Sequence, residues 1–341
     1  MGRVGRRLSV APRGCTYLVG FRHGPLCARA LSRRRRLDAV SPRTPGFVMD
    51  SLSLEAVKAL QANPRFPDSV VATARGAIEL HQGGRLMNWI MSDRARALLG
   101  YLAYYLEVVG DGEGDASGLT PTRLKRICSD AGLCSPGRAG AMLALMRAAG
   151  YIAVVGDPAD GRVRRLVATE KLKDNLRRRL ERQMLAIEPL FPDLIGASSL
   201  LGRAEFERPL IRWLGDQFAA GFRIIAHAPD MALFAEHNSG VVILFNLTLS
   251  GRPEDGFPPR GPVTTSIAGL ARRFGVSRTH VLRLLRAAES AGHIQRVGDH
   301  YDRIVLQPHL IEALFDMLAT MYLYLAHAIR AARTQMNGQG A

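Results

Sequence analysis

Apolar positions recur at three- and four-residue spacing in two stretches of the chain, and polar residues interrupt both at matching places. In the first stretch Leu124, Ile127 and Cys128 form one stripe. After Gly132 a second set, Met142, Leu143, Leu145 and Met146, runs to Gly150. In the second stretch Ile267, Leu270, Ala271 and Phe274 precede Gly275, and Val281, Leu284, Leu285 and Ala288 precede Gly292. That spacing is one buried face of a helix. Thr120-Pro121 and Ser135-Pro136 pair a capping hydroxyl with a proline suited to a first turn, and Ser277 caps without one. The glycines supply the stops. The pattern therefore predicts two helices joined by a short glycine-containing turn, twice, with the copies about 142–144 residues apart. This is a helix-turn-helix arrangement.

Each pair is followed by an alternating, extended pattern. Residues 151–155 and 162–168 flank the turn cluster Gly156-Asp157-Pro158-Ala159-Asp160-Gly161. Residues 293–297 and 303–306 flank Gly298-Asp299-His300. Two hairpins, or wings, are expected. An apolar helix precedes each unit, over 94–109 and 240–249, and a longer one follows. The first trailing helix carries Leu172, Leu176, Leu180 and Ile187. The second carries a continuous apolar face from Ile311 to Ile329, which usually packs on a partner helix. The expected fold class is mainly α with small β-hairpin wings. It comprises a basic segment over 1–48, a winged-helix unit over 49–195 and a second over 196–341.

Composition narrows the partners. Of 341 residues, 47% are hydrophobic and 22% charged, a globular balance. The net charge of +16 attracts polyanions, so nucleic acid or an anionic surface comes first. Residues 1–48 hold 11 arginines against Asp38 alone, with no sustained period. Such a segment cannot offset its chain entropy. It reads as a disordered tail or sequence upstream of a start at Met49, with a phosphate-clinging arm and a transit peptide as alternatives. The remainder carries 35 bases and 29 acids, a net of +6. No run of about 18 apolar residues occurs, so no membrane span is expected. Cys15, Cys27, Cys128 and Cys134 show no zinc spacing. The expected location is a reducing cytoplasm, beside the nucleoid of a bacterium.

Asp157-Pro158-Ala159-Asp160-Gly161-Arg162-Val163-Arg164-Arg165-Leu166-Val167-Ala168-Thr169, after the Gly-Tyr-Ile that ends 145–152, resembles the wing of the multiple-antibiotic-resistance regulator (MarR) family. The resemblance covers about residues 90–190. The second copy shares only the layout, with Asp302-Arg303 echoing the Asp-x-Arg pair. The resemblance implies a transcriptional regulator. Family members are usually homodimers joined by terminal helices, so this chain would supply both halves as a pseudo-dimer. Further pairing into a homodimer stays open.

A helix-turn-helix places the start of its second helix in the major groove of duplex DNA. Ser135, Arg138 and Met142 stand there in copy one, and Ser277, Arg278, Thr279, His280 and Arg283 in copy two. Arginine can grip guanine with two hydrogen bonds, and hydroxyls can hold phosphates. Arg162 and Arg164 suit the minor groove or its phosphates, with Asp160 orienting Arg162. Arg147 and Arg286, late on their helices, read as solvated charges. His227, Trp213 and Trp89 could line a pocket for a small-molecule effector, although aromatic core packing is the better explanation. Cys128 and Cys134 raise redox sensing, against which buried packing of Cys128 stands. The chain lacks a GxxxxGK[ST] loop, a GxSxG elbow and an HExxH pair. No enzyme activity, cofactor or metal is expected. A tandem winged-helix protein scaffold and a plasmid-type replication initiator remain as alternatives.

Overall fold

Side-chain hydroxyls and glycines fix the ends of both helix pairs in the computed structural model, which describes residues 52–81, 94–110, 118–156, 164–251, 256–299 and 302–338. Two helices, α1 (Leu54–Gln61) and α2 (Phe66–His81), come first, and the Ser53 hydroxyl accepts the Ala56 amide at 3.2 Å. Then follow α3 (Arg94–Gly110), α4 (Pro121–Asp130) and α5 (Pro136–Ala148). Next come β1 (Ile152–Gly156), β2 (Arg164–Ala168) and α6 (Glu170–Ile187). Short 3-10 turns lead to α7 (Ala204–Ala219), and more of them to α8 (Ala232–Glu236). A second series then begins: α9 (Gly240–Thr248), β3 (Val263–Thr264), α10 (Ile267–Phe274) and α11 (Arg278–Ser290). It closes with β4 (Ile294–Val297), β5 (Arg303–Leu306) and α12 (Pro308–Gly338).

The described chain is mainly helical with two small antiparallel sheets. The first pairs β1 with β2, from Ile152 opposite Ala168 to Gly156 opposite Arg164. The second has the order β3-β5-β4. Its added strand puts Val263 opposite Ile304. In copy one, the Leu166 amide donates to the Leu119 carbonyl at 3.1 Å, the same kind of bond at the same point of the series. Leu119 and Val263 are both buried there.

Helix ends match as closely. Amides two or three residues past each helix reach back five residues: Leu133 to the Cys128 carbonyl, Val276 to Ala271, Tyr151 to Met146 and His293 to Ala288, at 2.9–3.1 Å. This closure needs a left-handed residue just before the donor, and Gly132, Gly275, Gly150 and Gly292 supply it with φ of 64–76°. The two series are thus in register, so residues of α5 and α11 can be compared one to one.

One apolar core runs through the described residues. At its centre lies α12, with Leu310, Leu314, Leu318, Tyr322, Ala326 and Ile329 buried. The Tyr322 hydroxyl donates to the Ser69 carbonyl at 3.1 Å and shares a 2.7 Å hydrogen bond with Thr73, tying α12 to α2. Among the described residues α12 alone has the length and apolar composition of a membrane span, although polar residues interrupt its apolar run. Of its most apolar window, 56% is buried inside the protein, as befits a core helix. A second joint is polar. The Glu207 carboxylate on α7, 2% exposed, accepts from the Tyr104 hydroxyl (2.5 Å), Arg177 Nε (2.7 Å) and the Gly202 amide (2.6 Å). It links α3, α6 and α7.

Candidate nucleic-acid interface

The second helix of each pair starts with the same device. Ser135 Oγ accepts the Arg138 amide at 3.3 Å, and Ser277 Oγ accepts the His280 amide at 3.0 Å. Each hydroxyl keeps its own proton and can donate it outward. The buried side of α5 is Ala139, Met142, Leu143 and Met146, and that of α11 is Val281, Leu284, Leu285 and Ala288. These apolar spacings fix which residues face away from the core.

Ser135 and Arg138 are exposed at the start of α5, and Ser277, Arg278, Thr279 and Arg283 at the start of α11. The structure turns His280 the other way. It is half-buried, its Nε2 lies 2.9 Å from the Asn238 carbonyl, and its ring centroid is 6.1 Å from that of His237. His280 therefore fastens α11 to the segment before α9 and leaves the exposed row. Arg286, taken as a solvated charge, joins that row, since Thr279, Arg283 and Arg286 sit at i, i+4 and i+7 and all are exposed. The signal was there in the spacing from Thr279. Among the described residues Arg278, Arg283 and Arg286 make no hydrogen bond or ion pair.

The one acid on α11, Glu289, is held by Arg296 through backbone N (3.1 Å), Nε (2.8 Å) and Nη2 (2.6 Å). Those bonds keep its carboxyl below the usual carboxylate range. The carboxylate is thus directed to the hairpin, and the only charges on the outward row are cationic. Arg272 and Arg273 on α10 are also exposed, and Arg273 Nη1 donates to Asn246 Oδ1 at 2.6 Å.

The first wing is only partly described. Arg162 and Asp160 lie outside the described residues. Arg164 opens β2 opposite Gly156, and its backbone position is all that is described. Val154 and Val155 on β1 are exposed.

Other candidates resolve into packing. Trp213 packs on Tyr324 with centroids 5.1 Å apart, Tyr324 stacks on Phe222 at 4.7 Å, and Phe222 meets His227 at 5.5 Å. These rings fill one another's space. Trp89 lies outside the described residues. Burial, helped by neighbouring Cys134, pushes the Cys128 thiol up to about 12, so it is protonated at neutral pH and a poor nucleophile. A shallow depression of about 520 Å³ lies beside α6, lined by Arg177, Arg178, Glu181, Ser198 and Ser199 among others. Arg177 there is already committed to Glu207, Glu170 and Asp174. Among the described residues no group of three His, Cys, Asp or Glu is placed to hold a metal.

No family model, no curated protein and no solved structure matches the chain.

Proposed function

We propose that the chain is a sequence-specific duplex DNA-binding regulator of transcription, built as two winged helix-turn-helix units in tandem. One chain would supply both halves of a MarR-like pseudo-dimer. The reading is carried by the exposed cationic row Thr279, Arg283 and Arg286 with Arg278 on α11, behind a serine-capped helix start. A major groove about 12 Å wide admits a helix, and exposed arginines there can bond guanine O6 and N7 while Ser277 and Thr279 reach phosphate. The wings, with Arg162 and Arg164 on the first, would follow the flanking backbone or minor groove. No catalytic step is assigned to the protein.

The test is binding of the full chain to fluorescent genomic duplexes across salt concentrations, with a random-sequence duplex as competitor. Engagement of both units should contact about 6–10 phosphates and cost about 10³–10⁵ in affinity between 50 and 200 mM salt. Enriched fragments should fall in promoters; recovery of repeated origin sequences would instead mark a replication initiator. Equal affinity for selected and random duplexes would overturn sequence-specific regulation. Absence of any salt-dependent binding would leave the protein-scaffold reading.

A further inference from the structure

The two second helices are in register from end to end. Each runs 13 residues from a serine cap, Ser135 or Ser277, to a left-handed glycine, Gly150 or Gly292. Superposing those ends sets Thr279 where Gly137 stands, Arg283 where Ala141 stands and Arg286 where Ala144 stands. All six are exposed. The outward row that carries a hydroxyl and two guanidinium groups in copy two carries no functional group at all in copy one. Arg278 falls where Pro136 stands, and a further pair is crossed. Arg138 is exposed at the start of α5, whereas its counterpart His280 is turned inward to the Asn238 carbonyl.

We propose that base sequence is read by α11 alone, and that α5 holds the backbone of the neighbouring turn without reading it. The proposal rests on the DNA-binding reading above and adds the form of the target: one guanine-bearing block, not a palindrome. A base edge is distinguished chiefly by donors and acceptors, which glycine and alanine side chains do not offer; the one readout open to alanine is contact with a thymine methyl, which names no guanine. Arg283 and Arg286, three residues apart, are offset about 4.5 Å along the helix, comparable to one base-pair step, so they address adjacent pairs. On α5 the groups that remain are the Ser135 hydroxyl, the amides of the first turn and Arg138, which are phosphate-holding groups. The smooth Gly137–Ala141–Ala144 row lets that helix sit close in a groove of any sequence.

The experiment is selection of duplexes from a random pool by the full chain, followed by footprinting and binding of variants whose melting temperatures match the parent. A single conserved block of about 3–5 base pairs containing guanines should emerge, with protection extending about one further helical turn that shows no base preference. Arg283→Ala and Arg286→Ala should each lower affinity for the selected duplex at least about tenfold while affecting random duplex far less. Arg138→Ala should weaken both alike, leaving their ratio within about twofold and lowering the salt slope by about one. Two conserved blocks in inverted orientation, or a base preference that shifts with Arg138→Ala, would overturn one-sided readout while leaving DNA binding intact. Failure of the parent chain to bind any duplex would instead overturn the DNA reading itself, and this inference with it.

Discussion

At the scale of single residues, two buried polar groups report on how the core is held. Glu207 is the sole acceptor for Arg177 Nε and for the Gly202 amide among the described residues, and it also takes the Tyr104 hydroxyl. Removing it leaves the buried Tyr104 hydroxyl without its partner and frees the part-buried Arg177 Nε and the exposed Gly202 amide, while Arg177 keeps Glu170 and Asp174 at the surface. Glu207→Ala should therefore destabilise by about 3 kcal/mol. Urea unfolding would show this as a lower midpoint at unchanged slope, and a loss under about 1 kcal/mol would refute the role given to the carboxylate. His81 is the second group. Its Nε2 lies 3.3 Å from the Phe274 carbonyl and 3.2 Å from Ser239 Oγ, joining the end of α2 to the end of α10. Burial lowers its pKa, the Phe274 carbonyl partly offsets this, and Arg179 lowers it further. A histidine whose folded value lies below its ordinary 6.5 binds its proton more readily when unfolded. Stability is then fully present above pH 6.5 and declines as pH falls towards the folded value. His293 and His327 are shifted the same way, also by burial first. Thermal midpoints measured from pH 8 to pH 5 should fall below about 6.5, and His81→Gln should flatten that slope in part. An unchanged slope in the variant would show that His81 stays uncoupled from unfolding.

At the scale of elements, close approach matters more than propensity. Gly215 on α7 lies against Tyr105 on α3, so that a Cβ there would come within 2.0 Å of the ring. The ring is fixed, since Tyr105 is 6% exposed and its hydroxyl donates to Asp216 Oδ1 at 2.8 Å. Alanine would gain about 1 kcal/mol in helix propensity, but separating α3 from α7 costs more, typically 1–3 kcal/mol and the upper part of that range for so deep an overlap. Gly215→Ala should lower the melting temperature, and a rise would mean that the helices can part freely. The same contrast explains what the sequence made legible. Caps, stops and apolar stripes are local, so α4, α5, α10 and α11 emerge from Thr120, Ser135, Ser277 and their glycines, and the preceding helix expected over 94–109 ends one residue later, at Gly110. By contrast, β3 has two residues, too few for any alternation, and exists through pairing with β5. α1, α2 and α7 lie outside the repeated pattern, and α7 also carries Pro209 inside it. The inward turn of His280 depends on a carbonyl 42 positions away, which no local pattern encodes.

At the scale of the whole molecule, the decisive feature is what covers α12. A continuous apolar face on a terminal helix leads one to expect a partner helix, from this chain or from a second copy. Here the covering comes from within. Lys58 and Gln61 on α1 both reach Asp316 at 2.7 Å, Tyr322 is tied to α2, and the Tyr324 hydroxyl donates to the Leu214 carbonyl of α7 at 2.8 Å. Near its end Arg330 grips Asp193 with two bonds of 2.7 and 2.9 Å. Helices from the start and the middle of the described chain thus pack along α12. An obligate homodimer buries about 2,000 Å² or more of largely apolar area. The large apolar side chains exposed among the described residues are Leu54, Val154, Val155, Leu185 and Ile195, borne on four separate segments. Scattered residues of this kind are ordinary surface and do not form such an interface. The full chain should therefore scatter light as a monomer of 37.2 kDa at micromolar concentration, and at saturation one chain should occupy one duplex. A free dimer, or two chains bound per target block, would show that the two units of a chain do not act as the two halves of a pair.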